Sequence, residues 1–131
     1  MFVRKAGCST CHLLDGRAAP LTDGSFHVTG FGRTASPRDR GRAEVTGDPA
    51  DVAALKTPGL RAVVLRPYLM HDGSMTSLRQ VVERYNRPDR SAFPHLDERL
   101  KPLFLAPDEV DAIVAFLGAL TPQANHVASF H

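Results

Sequence analysis

An all-α domain with long irregular loops is the class this chain predicts, and three observations carry that reading. Apolar residues recur at helical spacing in two stretches: Leu78, Val81, Val82 and Tyr85, and then Val110, Ile113, Val114 and Leu117. No segment alternates apolar and polar residues convincingly enough to read as a strand. Glycine and proline punctuate much of the first half of the chain. With 131 residues the chain suits one domain, expected over 1–121, followed by a loose tail over 122–131.

Residues 1–14 are expected to form a short helix. They carry Cys8-Ser9-Thr10-Cys11-His12, a C-x-x-C-H pattern. Two thiols three positions apart on one helical turn can add to the two vinyl groups of a haem. The adjacent His12 then donates an imidazole nitrogen to the iron as proximal ligand. Rival readings fit less well. A structural zinc site needs four ligands, usually from two separated pairs, and Cys8 and Cys11 are the only cysteines. A redox dithiol would sit in a βαβ unit, which the flanking sequence lacks. The pattern therefore predicts one covalent haem c. Such attachment normally takes place outside the bacterial cytoplasm, so a periplasmic location is expected. No signal peptide precedes the motif, and the chain reads as the C-terminal piece of a longer exported protein.

Residues 15–49, with Gly16, Gly24, Gly30, Gly32, Pro37, Gly41 and Gly47, read as a long loop ordered mainly by wrapping the haem. Asp48 to Leu55 suggests one or two helical turns, with Asp48 as cap and Pro49 in first position. Pro58 and Pro67 bracket a short apolar stretch, Leu60 to Leu65. Thr76 can cap the helix that carries Leu78 to Tyr85, and Asn86 and Pro88 end it. Residues 87–105 are again loop-like. The last helix starts at Pro107-Asp108-Glu109, where proline and two carboxylates suit the positive end of the dipole, and Thr121-Pro122 stops it. A net charge of +2 makes no electrostatic case for nucleic acid or an anionic membrane, and no apolar run approaches a membrane span.

Histidine ligation from one side leaves a sixth iron position. Met70, His71, Met75 and Tyr85 are the side chains that could reach it. Each also has an ordinary role: methionine as core filler, histidine in a turn before Asp72-Gly73, tyrosine as core with a hydrogen-bonded hydroxyl. Arg61 and Lys56 are candidates to neutralise haem propionates, and Phe26 and His27 to line the haem edge. His95, His126 and His131 suggest no role.

In order, the chain shows C-x-x-C-H, Phe26-His27, a Gly41 to Asp51 segment containing Val45-Thr46-Gly47-Asp48-Pro49, and Lys56-Thr57-Pro58-Gly59-Leu60-Arg61. Met70-His71-Asp72-Gly73-Ser74, Leu78-x-x-Val81-Val82-x-x-Tyr85-Asn86 and a final helix containing Ile113-Val114-Ala115-Phe116-Leu117 follow. This order resembles the C-terminal haem domain of the di-haem cytochrome c peroxidase and MauG family, over about residues 2–121. The resemblance implies a cytochrome c-like haem domain that carries electrons or oxidising equivalents to or from a second haem domain, where peroxide normally reacts. Members reduce peroxide or, in the MauG branch, use high-valent iron to oxidise a protein. The family's variable axial position falls seven residues after the first helical leucine, which here is Tyr85. Peroxidase-type members have Met there and MauG-type members Tyr. Met70 falls where the family also accepts Phe.

The departures are one C-x-x-C-H instead of two, no tryptophan, and Arg66 and Tyr68 where family carbonyls help bind an interdomain calcium. An arginine beside a dication argues against calcium, and one domain supplies only part of such a site. With a single haem the domain alone is expected to be a weak enzyme or none. The other class of function left open is a free single-haem cytochrome c that only shuttles electrons between redox partner proteins.

Overall fold

The computed structural model describes residues 1–16, 19–30, 39–88 and 95–121. The tail expected over 122–131, with Pro122, His126 and His131, lies outside them, as do Gly32 and Pro37 of the long loop. The described residues hold three α-helices: α1 (Ala43–Thr46), α2 (Leu78–Asn86) and α3 (Pro107–Ala119). They also hold three single turns of 3-10 helix and an antiparallel pair of strands, β1 (Phe26–Val28) and β2 (Ala54–Lys56). The all-α expectation is therefore corrected: short helices are combined with a small sheet.

The sheet lies where a loop and a helical turn were expected. Asp48 does cap a turn, its carboxylate accepting the Ala50 N–H at 2.8 Å, but that turn is only Pro49–Asp51. Ala53 then takes a left-handed conformation (φ 63°), which no continuing helix permits. The chain leaves it as β2, pairing Phe26 with Lys56, His27 with Leu55 and Val28 with Ala54. Gly41 runs beside this strand at φ 61°, and a Cβ there would lie 2.7 Å from the Ala54 carbonyl oxygen. Only glycine allows Arg42 N–H to reach that same oxygen at 2.9 Å.

The expected helix over 1–14 is also corrected. Gly7 at φ 60° precedes one 3-10 turn, Cys8–Thr10, and the preceding residues form turns closed by Ala6 N–H to the Met1 carbonyl. A segment this short before a left-handed residue cannot sustain an α-helix.

The two longer helices follow the apolar stripes. Ser77, rather than Thr76, caps α2: its hydroxyl accepts the Gln80 N–H at 3.2 Å while the Gln80 side chain accepts from Ser77 N–H at 3.2 Å. That is a reciprocal capping box. In α3, Glu109 reaches back to accept the Ala106 N–H at 2.9 Å and pairs with Lys5, which pins the start of the chain to this helix. Val82 of α2 and Val110, Ile113 and Leu117 of α3 share a core with Phe2, Ala6, Val63, Leu69 and Leu105. Phe2 and Phe116 stack with ring centroids 4.8 Å apart. A second, smaller core joins Val28, Ala53, Ala54 and Leu96.

Asn86 closes α2 and is buried. Its amide donates to the Leu105 carbonyl at 3.1 Å, and its side-chain oxygen accepts the Leu105 N–H at 2.9 Å. One side chain thus satisfies both backbone groups of a buried loop residue just before α3. Asn86→Ala would strand both, and should cost on the order of 3 kcal/mol. Chemical denaturation of the haem-loaded protein checks this; an unchanged midpoint would contradict it.

Candidate functional site

Between the two cores lies a cavity of about 680 Å³, lined by members of both, including Phe2, Val63, Ile113 and Ala54. That volume suits a large organic cofactor. Cys8, Cys11 and His12 all line it. The 3-10 turn brings them together, closed by His12 N–H donating to the Cys8 carbonyl at 2.9 Å. The two cysteines are free. Burial pushes the Cys8 thiol up to about 11 and raises Cys11 as well. Both are therefore neutral thiols at neutral pH.

His12 Nδ1 lies 2.9 Å from the Leu21 carbonyl oxygen. A carbonyl only accepts, so Nδ1 carries the proton and donates it. Nε2 is left with the lone pair that a metal requires. Burial lowers the histidine's proton affinity, outweighing that hydrogen bond, so the ring stays neutral. Leu21 is itself fully buried, and its N–H donates to the Leu13 carbonyl at 2.8 Å. The loop after the motif therefore folds back to orient the ring.

Tyr85, from α2, lines the same cavity. Burial pushes its phenol up to about 12, opposed by a hydrogen bond with the Thr29 side chain; the two cysteine sulfurs add to the rise. Met70 also lines the cavity, in a left-handed conformation (φ 70°). His71 is exposed at the cavity, with Nε2 2.7 Å from an Asp39 carboxylate oxygen. Met75 is elsewhere: its side chain packs on the larger core and its backbone pairs with Leu69. Of the four candidates for the sixth position, three share the cavity with His12.

Phe26 and His27 both line the cavity, and the Arg42 guanidinium stacks 4.4 Å from the Phe26 ring centroid. Lys56 is part of the lining, whereas Arg61 turns away and donates to the Ala19 carbonyl at 2.9 Å. Arg66 and Lys101, which sequence reasoning did not propose for this role, add cationic groups to the lining. They complement the two carboxylates of a haem.

A charged cluster adjoins Cys11. His27 Nε2 lies 2.8 Å from Asp23, and its Nδ1 lies 3.0 Å from Asp97 and 2.7 Å from the Arg99 guanidinium. Arg99 holds Asp97 well below the usual carboxylate range, and Asp97 in turn raises Arg99. Burial pushes Asp23 up, but hydrogen bonds from Ser25, His27 and Thr57 outweigh it and bring it to about 2. Asp23, Asp97 and Arg99 escaped the sequence reading, because nothing in local spacing links positions 23, 27, 97 and 99. Cys11, Asp23 and His27 place one ligand atom each within 4.8 Å of one another. Thioether formation at Cys11 would remove the thiolate that a metal needs there.

Free thiols beside a correctly polarised imidazole, an apolar cavity of suitable size and a cationic lining all fit a covalently bound haem. No protein-family model matches the chain. It is 37% identical to cytochrome-c peroxidase IdrP1 of Denitromonas iodatirespirans, in an alignment covering 92% of this chain and 38% of that protein. It is 33% identical to the methylamine utilization protein MauG of Methylorubrum extorquens, covering 94% and 33%. Cytochrome-c peroxidase IdrP2 of Denitromonas iodatirespirans is 30% identical, covering 98% and 40%. The chain thus spans at most about two fifths of the length of these relatives. A MauG-like protein associated with microbial copper homeostasis has a crystal structure that superposes with a TM-score of 0.77 at 26% identity, covering 91% of this chain and 41% of that one. Motif, cavity and relatives agree: the chain belongs to the cytochrome c peroxidase and MauG family of haem proteins.

Proposed function

We propose that this chain is the C-terminal haem domain of a periplasmic peroxidase- or MauG-like oxidoreductase. It holds one haem c through Cys8 and Cys11, with His12 as proximal and Tyr85 as distal ligand, and exchanges electrons or oxidising equivalents with a second haem domain. The observation that carries this reading is the meeting in one cavity of both thiols, the lone-pair nitrogen of His12 and the Tyr85 hydroxyl. The share of each relative that the chain matches supports reading it as one haem domain of a larger assembly.

The bound haem supplies one-electron chemistry at its iron. The chain's residues determine its direction. Leu21 keeps the proton on Nδ1 of His12, which leaves the Nε2 lone pair free to hold the iron and would raise its basicity. Tyr85 offers a hard, anionic oxygen once deprotonated, which stabilises ferric iron over ferrous. Apolar walls from both cores exclude water and strengthen that preference.

Protein matured in a periplasm should carry the mass of one added haem that survives denaturation; a bare polypeptide mass would refute attachment. His12→Ala should leave little folded haem protein, because iron ligation and haem burial are lost together. Steady-state peroxide turnover by this chain alone should be far below that of a two-haem enzyme, and comparable turnover would show that a second haem domain is not required.

The distal assignment has its own test. The ferric spectrum should lack the weak near-infrared sulfur-to-iron band. Tyr85→Met should raise the reduction potential, while Met70→Leu and Met75→Leu should barely move it. Because the free phenol sits at about 12, ligation requires proton loss, and acid should favour the unligated form. A spectrum altered by Met70→Leu but not by Tyr85→Phe would assign the ligand to methionine.

A further inference from the structure

Three large apolar side chains of the cavity lining are left in water: Val45 at 90% exposed, Tyr68 at 69% and Phe26 at 38%. Single exposed apolar residues are ordinary, whereas a patch of them rimmed by charge marks an interaction surface. Here the rim is close by. Phe26 pairs with Lys56 across the sheet, the Arg42 guanidinium stacks on the Phe26 ring, and Val45 N–H donates to the Arg42 carbonyl at 2.9 Å.

The charge of this rim has one sign. The cavity lining holds five cationic side chains, Arg42, Lys56, Arg66, Arg99 and Lys101, against two carboxylates, Asp39 and Asp97. The whole chain carries a net charge of only +2. Each lining carboxylate is the less exposed member of an ion pair, Asp39 with His71 and Asp97 with Arg99, and Arg42 is paired with Asp51. Among the described residues no carboxylate lies within ion-pair distance of Lys56, Arg66 or Lys101. The two propionates of a haem would offset two of these three and leave the rim cationic.

We infer that the mouth of the cavity is a docking surface for a redox protein with an acidic face, an inference that rests on a haem filling the cavity. Exposed cations steer an anionic partner toward the mouth. Val45, Tyr68 and Phe26 then give it apolar area to shed water against. A small patch of this kind suits the brief encounters of electron transfer, which need approach without lasting association.

The test uses haem-loaded protein matured in a periplasm, reduced and mixed by stopped flow with ferric cytochrome c as probe. The probe is used in two forms: native, whose surface is basic, and lysine-succinylated, whose surface is acidic. The chain's ferrous iron is oxidised to ferric as the probe's ferric iron is reduced to ferrous. Each rate is divided by that with benzoquinone, which has no charge to steer. At low ionic strength the acidic form should react on the order of tenfold faster than the native form. The advantage should vanish in roughly 1 M salt, where charges are screened within about 3 Å. Val45→Asp should slow the acidic form and Val45→Lys speed it, each about twofold, the effect of one unit charge across about 10 Å of water. Opposite effects at one exposed position are not what a structural disturbance produces. Arg79→Gln, on α2 outside the lining, should leave the ratio unchanged. Equal rates for the two forms at low salt, or a preference for the basic form, would overturn the inference. So would an advantage that Arg79→Gln moves and the Val45 variants do not, because the steering charge then lies elsewhere. Sedimentation of the chain as a dimer that Val45→Asp dissociates would assign the surface to a second copy instead. A bare polypeptide mass after maturation would refute haem attachment itself, and this inference would fall with it.

Discussion

The hydrogen bond from His12 Nδ1 to the Leu21 carbonyl, at 2.9 Å, is the contact around which the site is arranged. Without it the imidazole could present either nitrogen to the cavity. With it, one tautomer and one ring orientation are selected. The bond demands that the chain reverse direction within nine residues of the motif. Leu21 does so in a left-handed conformation (φ 56°), an unfavourable choice for leucine that burial of its side chain offsets. Thr22 then donates its hydroxyl to the Thr57 carbonyl at 2.7 Å, and Thr57 N–H donates to the Ser25 carbonyl at 2.9 Å. The loop after the motif is thereby joined to the end of β2. The small sheet, unforeseen from sequence, is the frame that holds the acceptor of the His12 hydrogen bond in place.

The same geometry explains why the described residues form two cores rather than one. Helices α2 and α3 close the larger core, and the sheet with Leu96 closes the smaller. The cavity draws its walls from both. A chain of this length has only a modest core, and side chains that line a large cavity have fewer neighbours for dispersion contact. A covalently tethered, mostly apolar cofactor, as proposed, would restore those contacts. Held by two bonds and one ligand it could not leave, so its burial would become part of the fold's stability and not a separate equilibrium.

How much of this was legible depends on how far apart the interacting residues lie. The C-x-x-C-H motif was readable because thioether chemistry imposes a local spacing. Helices α2 and α3 were readable because nine and thirteen residues are enough to display a helical stripe. The strands were not, since three residues cannot display an alternation. The expected N-terminal helix failed at Gly7, whose left-handed backbone is invisible to a pattern of apolar residues. The resemblance brought Tyr85 to the cavity, where the stripe alone could say only that it faced inward. The contacts that link His27 to Arg99 cross 72 positions, and no local rule reaches so far. Arg61 was legible as a charge, but its hydrogen bond to the Ala19 carbonyl, 42 positions away, was not.

Burial acts on the ionisable groups of the cavity in one direction: toward neutrality. It raises the two thiols and the Tyr85 phenol, and it lowers His12. The consequences for assembling the site differ between the two axial positions. A neutral imidazole is already in its ligating form, so the His12 bond requires no proton transfer. A phenol near 12 must lose its proton to the metal's positive charge before it can bind as phenolate. With a haem in place, a ligating His12 would need no proton transfer, whereas a ligating Tyr85 would be favoured by the higher charge of ferric iron. Reduction would weaken the electrostatic reason for a phenolate. That asymmetry follows from burying one neutral base and one weak acid in the same apolar cavity.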